Sequence, residues 1–124
     1  MEIKPLCDTL YHTRFRYKSE KDLQHGVGQV LTGLNLVFKS EYILAPRDRI
    51  DFLITNSGIG IECKSDDSTG GTSLAAVTRQ LMRYAQSDQV NELILLTTMS
   101  KHKHLPDTMN GKPLYIVHLL LSFL

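Results

Sequence analysis

Two short runs near the middle of the chain alternate apolar and polar residues: Arg49 to Thr55 and Ile59 to Lys64, with Asn56-Ser57-Gly58 between them. That pattern predicts two strands joined by a tight turn. Side chains alternate across a strand, so Ile59, Ile61 and Cys63 are expected on one face of the second strand and Gly60, Glu62 and Lys64 on the other. On the first strand, Ile50, Phe52 and Ile54 alternate with Asp51 and Leu53. If the strands pair, an acid on one and an acid plus a lysine on the next converge at one point.

The flanking pattern predicts helices on either side. Leu23, Val27, Val30, Leu31 and Leu34 recur at helical spacing from about Glu20 to Leu34, with Ser19 as the cap. Gly26, Gly28 and Gly33 lower the helix propensity, so packing must hold this helix, and small residues let it approach the sheet closely. Gly26 and Gly28 make no dinucleotide fingerprint, because no strand precedes them. Residues 1 to 18 read as irregular, with Pro5 and the run YHTRFRYK. There Arg14, Arg16 and Lys18 alternate with Phe15 and Tyr17, the pattern of an edge strand or arm whose rings cap the core; the alternative is a phosphate-contacting arm. Asn35 to Leu44 reads as a strand with Leu36, Phe38 and either Tyr42 or Ile43 inward. A turn at Pro46 to Asp48 follows, with Asp48 exposed.

After Lys64, Ser65 to Thr72 is a loop of small polar residues beside the acids. Thr72 or Ser73 caps a helix to about Ser87, with Leu74, Val77, Leu81 and Ala85 as its core stripe. Ala76, Gln80 and Tyr84 form an adjoining stripe, and Arg79 and Arg83 lie further round. Glu92 to Thr98 is a nearly continuous apolar run, the mark of a strand buried on both faces. Thr97 to Asn110 is a polar loop carrying Lys101, His102, Lys103 and His104; a phosphate-contacting role suits it better than a metal site built on two histidines. Lys112 to Leu121 is the last strand, with Leu114, Ile116 and Val117 in the core.

Composition narrows the class. The chain of 124 residues makes one domain, 1–124, with 42% hydrophobic and 22% charged residues, an ordinary globular balance. A formal net charge of +1 does not announce a nucleic-acid binder, so the local placement of basic residues matters more than the total. Two cysteines, Cys7 and Cys63, make neither a disulfide framework nor a zinc set, and they read as reduced cytoplasmic thiols. The amino terminus lacks the apolar run of a signal peptide, and the apolar tail from Leu114 to Leu124 is too short to span a bilayer. The expectation is a cytoplasmic protein with no membrane partner.

Asp51, followed after eleven positions by Glu62-x-Lys64 on the next strand, resembles the PD-(D/E)xK nuclease superfamily. Gln80 and Tyr84 in RQLMRYA extend the resemblance, which covers nearly the whole chain; Ile50 stands where the family name has proline. The resemblance implies an α/β fold with a restriction-endonuclease-like core (αβββαβ), a mixed central sheet flanked by helices. It implies a Mg2+-dependent endodeoxyribonuclease, with Mn2+ as substitute, in which Asp51, Glu62 and the Cys63 carbonyl bind the metal. Lys64 then orients the attacking water or offsets developing charge. An acid on the first helix completes the metal site in many members, and Glu20 is the candidate, with Gln24 and Glu41 as alternatives. Gln80 and Tyr84, with Arg83, Lys101 and Lys103, are the candidate nucleic-acid contacts.

Small size and the absence of an appended recognition domain look like the archaeal-type and phage-type Holliday-junction resolvases. That likeness implies branched DNA as substrate, a homodimer, and a phage- or virus-encoded enzyme acting in the host cytoplasm as one possible source. The apolar end from Tyr115 to Leu124 is a candidate interface or equally core. The reading from a different class is a catalytically silent nucleic-acid-binding or assembly module on the same fold.

Overall fold

The computed structural model describes residues 2–66 and 71–119. Three helices flank a six-stranded mixed sheet: α1 (Ile3–His12), α2 (Glu20–Gly33), β1 (Phe38–Ala45), β2 (Asp48–Ile54), β3 (Ile59–Lys64), α3 (Leu74–Ala85), β4 (Glu92–Thr97), β5 (Thr108–Met109) and β6 (Lys112–His118). The strand order is β1-β2-β3-β4-β6-β5. The first three strands pair antiparallel, β4 joins β3 and β6 in parallel, and β5 returns antiparallel on β6. Helices α1 and α2 cover one face through Leu6, Leu10, Leu23, Val27 and Leu31 over Phe52, Ile61, Ile94 and Leu96. Helix α3 covers the other through Val77, Leu81 and Tyr84 over Ile50, Leu53, Leu93 and Leu95. Strand β4 is buried on both faces, as its unbroken apolar run requires.

The amino-terminal segment departs from its irregular reading. Ile3 to His12 is a helix that buries Ile3, Leu6 and Leu10. Pro5 lies in its first turn, where a missing N–H costs nothing because the first amides of a helix have no internal partner. The following segment keeps the expected alternation, with Phe15 buried and Arg14, Arg16 and Lys18 exposed. Ser19 caps α2 by accepting from the Asp22 amide at 3.2 Å, and Ser73 caps α3 by accepting from the Ala76 amide at 3.1 Å.

Strand β1 starts later than its apolar pattern suggests, because Asn35 ends α2. Asn35 takes φ 58°, its amide reaches the Thr32 carbonyl and the Leu36 amide reaches the Leu31 carbonyl, a left-handed helix stop that consumes three residues. Of the two inward candidates on β1, Tyr42 packs against the α3 face while Ile43 is 66% exposed. Close approach belongs to Gly26, where a Cβ would meet the Phe15 ring at 2.8 Å. The polar loop after β4 contains a short 3₁₀ helix, Ser100–His104, and then β5. Leu114, Val117 and Leu119 are core and Tyr115 packs against it, so this part of the carboxyl-terminal segment serves the fold. Its last five residues, 120–124, lie outside the described residues.

Candidate active site

The β2–β3 ladder holds from Ile54↔Ile59 through Phe52↔Ile61 and stops there. One residue further on, side chains take over from the backbone. The Cys63 amide donates to Asp51 Oδ2 at 2.7 Å, and the Asp51 amide donates to Glu62 Oε1 at 3.2 Å. The strands are thereby splayed into a fork whose rungs are two carboxylates, and buried amides that lost their ladder partners keep a bond.

Strict alternation along β2 fails at this point. Ile50 and Leu53 belong to the α3-side core, whereas Phe52 and Ile54 belong to the α2-side core. The facing strand switches at the same register. Phe38 packs with the α2-side core and Tyr42 with the α3-side core, with Glu41 between them at φ 48°. A left-handed glutamate costs about 1–2 kcal/mol, so the break in alternation is imposed by the fold. Its consequence is that Asp51 turns toward α2. There Gln24 Nε2 donates to Asp51 Oδ1 at 3.0 Å, which sets Gln24, one of the three residues weighed for completing the site, against Asp51. Glu20 lies near enough for its charge to push up the pKa of Asp51.

Burial gives the fork its electrostatics. Glu62 and Lys64 share a face of β3, as alternation predicts, and form an ion pair at 3.6 Å with each side chain 5% exposed. This is a buried pair and not a solvated one. Desolvation pushes Asp51 up to about 6, with the Glu20 charge adding and the Cys63 amide, Lys64 and Gln24 opposing. Burial, then the Asp51 charge, pushes Glu62 well above the usual carboxylate range against the pull of Lys64. One lysine therefore does not balance the two acids. Among the described residues no three histidine, cysteine, aspartate or glutamate side chains are grouped to hold a metal ion. Asp51 and Glu62 offer carboxylate oxygens, a donor type that suits a hard cation such as Mg2+.

The flanking candidates divide. Tyr84 is 1% exposed; its hydroxyl donates to the Arg49 carbonyl at 2.8 Å and accepts from Gln80 Nε2 at 2.9 Å. The phenol thereby braces α3 against β2 two residues before Asp51. Gln80 is half-buried and holds that phenol. Arg83 reaches Asp48 at 2.8 Å, so Asp48 is an ion-pair partner and not an isolated exposed acid. Lys101 and Lys103 are exposed on the 3₁₀ helix, Lys101 within 3.4 Å of Thr72 Oγ1.

His102, between them, is fully buried. Its Nε2 lies 2.8 Å from the Thr72 carbonyl and must carry the proton, which leaves Nδ1 to accept from Thr97 Oγ1 at 2.6 Å. Both ring nitrogens are thus occupied, which removes His102 from any metal set with His104. The sequence offered one signal for this role, a histidine inside a basic loop next to a buried strand.

Comparison with known proteins gives no match: no family model, curated protein or solved structure is similar to the chain. No helix among the described residues is long and apolar enough to cross a membrane.

Proposed function

We propose that the chain is a divalent-metal-dependent endodeoxyribonuclease of the PD-(D/E)xK type, hydrolysing phosphodiester bonds in DNA. The observation that carries this reading is the fork itself: Asp51 and Glu62 are held by each other's strands, with Lys64 paired to Glu62. The order α2, β1, β2, β3, α3, β4 supports an αβββαβ core of restriction-endonuclease type. Asp51, Glu62 and the Cys63 carbonyl would hold Mg2+ or Mn2+, which supplies charge neutralisation and a more acidic bound water.

The protein's own residues do the rest. Gln24 and the Cys63 amide fix the Asp51 carboxylate, so its oxygens need no reorientation on ligand binding. Lys64, held beside Glu62 away from solvent, offers Nζ–H to the water or to the phosphoryl oxygens that gain charge. Tyr84 and Gln80 keep β2 in place. Branched DNA as substrate, a homodimer that makes paired cuts, and action in the cytoplasm complete the proposal.

A cleavage panel of four-way, three-way, flap, duplex and single-stranded DNAs, plus RNA, tests it in Mg2+ and Mn2+. Asp51→Asn should abolish cutting and leave binding in Ca2+ largely intact. A wild-type protein that cuts nothing in the panel leaves the silent binding or assembly module as the reading. Light scattering at 14.0 kDa, the mass of one chain, removes the dimer alone.

A further inference from the structure

Asp51 also lines a groove between α2 and the β1–β2 pair, a cavity of about 870 Å³. Among its lining residues is the partly buried Phe38, which meets Phe52 edge to face with centroids 5.9 Å apart; Phe52 itself is 4% exposed and lies beneath Gly28. The groove walls carry hydrogen-bonding groups, Gln29 and Thr32 on the helix and Ser40 on the strand, and Lys21 stands on the helix wall. Past His25 and Gln29 a second cavity, lined by Arg14 and Arg16, continues the depression.

Gly28 is the residue that packing does not explain. A Cβ there would meet Phe52 at 3.6 Å, ordinary van der Waals contact, whereas at Gly26 it would strike Phe15 at 2.8 Å. A glycine inside a helix costs stability relative to alanine, and at Gly28 nothing in the fold requires that cost. What its missing side chain does is keep the groove open over the rings. The left-handed φ of Glu41 acts in the same direction, because it turns Phe38 and Ser40 toward α2 instead of leaving them in register with Tyr42.

We propose that this groove seats the base of an unpaired nucleotide, which makes the substrate a nucleic acid with a single-stranded stretch next to the bond at Asp51. The inference rests on the nuclease reading for its chemistry and deepens it by naming the substrate class. A flat base packs against the partly exposed Phe38 ring, its edge takes amide and hydroxyl partners, and its flanking phosphates take Lys21 and the exposed Arg14 and Arg16. In a blunt duplex every base is stacked and paired, so none reaches that ring. The volume suits one nucleotide, within the range of ordinary ligand pockets.

Fluorescence anisotropy in Ca2+ compares a labelled single strand of about 15 nucleotides with the blunt duplex of the same sequence. The single strand should bind about tenfold more tightly, and Gly28→Leu and Gln29→Ala should each remove most of that preference while leaving duplex affinity unchanged. Gly28→Ala should melt about 3–5 °C higher than wild type, the gain expected from helix propensity alone. Equal affinity for the two DNAs, Gln29→Ala binding like wild type, or a lower melting point for Gly28→Ala overturns the inference. Gln29 is exposed, so its variant decides the matter even if Gly28→Leu does not fold. A protein that cuts blunt duplex as fast as single strand refutes the groove and keeps the nuclease; one that prefers the single strand and never cuts keeps the groove and refutes the nuclease.

Discussion

Asp51 and Glu62 are cross-linked through the backbone: the Glu62 carboxylate receives the Asp51 amide, and the Asp51 carboxylate receives the amide of Cys63, the residue after Glu62. Each acid thereby fixes the segment that carries the other. Two carboxyl groups are held close together and largely out of water at the point where the ladder ends, a position in which ionising them costs folding free energy.

That cost is measurable in Asp51→Asn. The folded pKa of Asp51 is raised from 3.8 to about 6, so its contribution to stability is full below about pH 4 and is lost as pH rises through 6. A two-unit shift corresponds to at most about 3 kcal/mol. Asparagine keeps an acceptor for the Cys63 amide, and Gln24 satisfies the new amide by turning its own. Without divalent ions the variant should be more stable than wild type by about 1–3 kcal/mol at pH 7.5 and no more stable at pH 4. Urea denaturation at the two pH values checks this; a variant less stable at pH 7.5 would show that the carboxylate is not strained there.

The same strain predicts a pH-dependent response to Mg2+. At ten times its dissociation constant, an ion that binds only the folded protein stabilises by about 1.4 kcal/mol, a rise of about 3–6 °C in melting temperature. The rise should be present at pH 7.5, where Asp51 is ionised, and largely absent at pH 5, where it is protonated. Glu62→Gln should abolish it at both. Differential scanning fluorimetry against Mg2+ concentration gives the answer.

Tyr84→Phe separates bracing from substrate contact. It removes the donor to the Arg49 carbonyl and the acceptor for Gln80 without changing the buried ring, so it should cost about 1–2 kcal/mol in stability. Its effect on turnover should appear in kcat, through the position of Asp51, and leave binding to DNA in Ca2+ unchanged. Weaker binding with unchanged stability would return the phenol to the substrate.

Where the residues responsible are consecutive, the sequence was legible. The strand pair 49–64, the caps Ser19 and Ser73, the burial of β4 and the Glu62–Lys64 face all follow from period and local chemistry. The helix at Ile3–His12 was hidden by Pro5, which reads as a breaker but is harmless in a first turn. The switch of faces at Glu41 and Asp51 is not written in either strand alone, since it falls on both between the paired positions Ser40↔Phe52 and Tyr42↔Ile50. The roles of Gln24, Tyr84 and His102 depend on partners 27, 35 and 30 positions away, contacts that no periodicity encodes.

His102 supplies the last prediction. Its ring joins the end of β4, through Thr97, to Thr72 at the approach to α3, and it does so only when Nδ1 is free to accept. Burial first, then the nearby charges of Lys101, Lys64 and His118, lower its pKa from 6.5 against the pull of the Thr72 bond. A depressed folded pKa means that the stability it confers is present above about pH 6.5 and is lost as pH falls below. His102→Leu leaves the Thr97 hydroxyl and the Thr72 carbonyl without that partner, a loss of about 2–3 kcal/mol at pH 7.5. The gap between wild type and variant should narrow by pH 5, because there the wild-type ring is forced to take up a proton it has no good place for. Amide exchange at Thr72 and Ser73 should quicken in the variant at pH 7.5, while exchange in β3 stays slow. A gap that is constant from pH 7.5 to 5 would mean that the ring contributes only bulk.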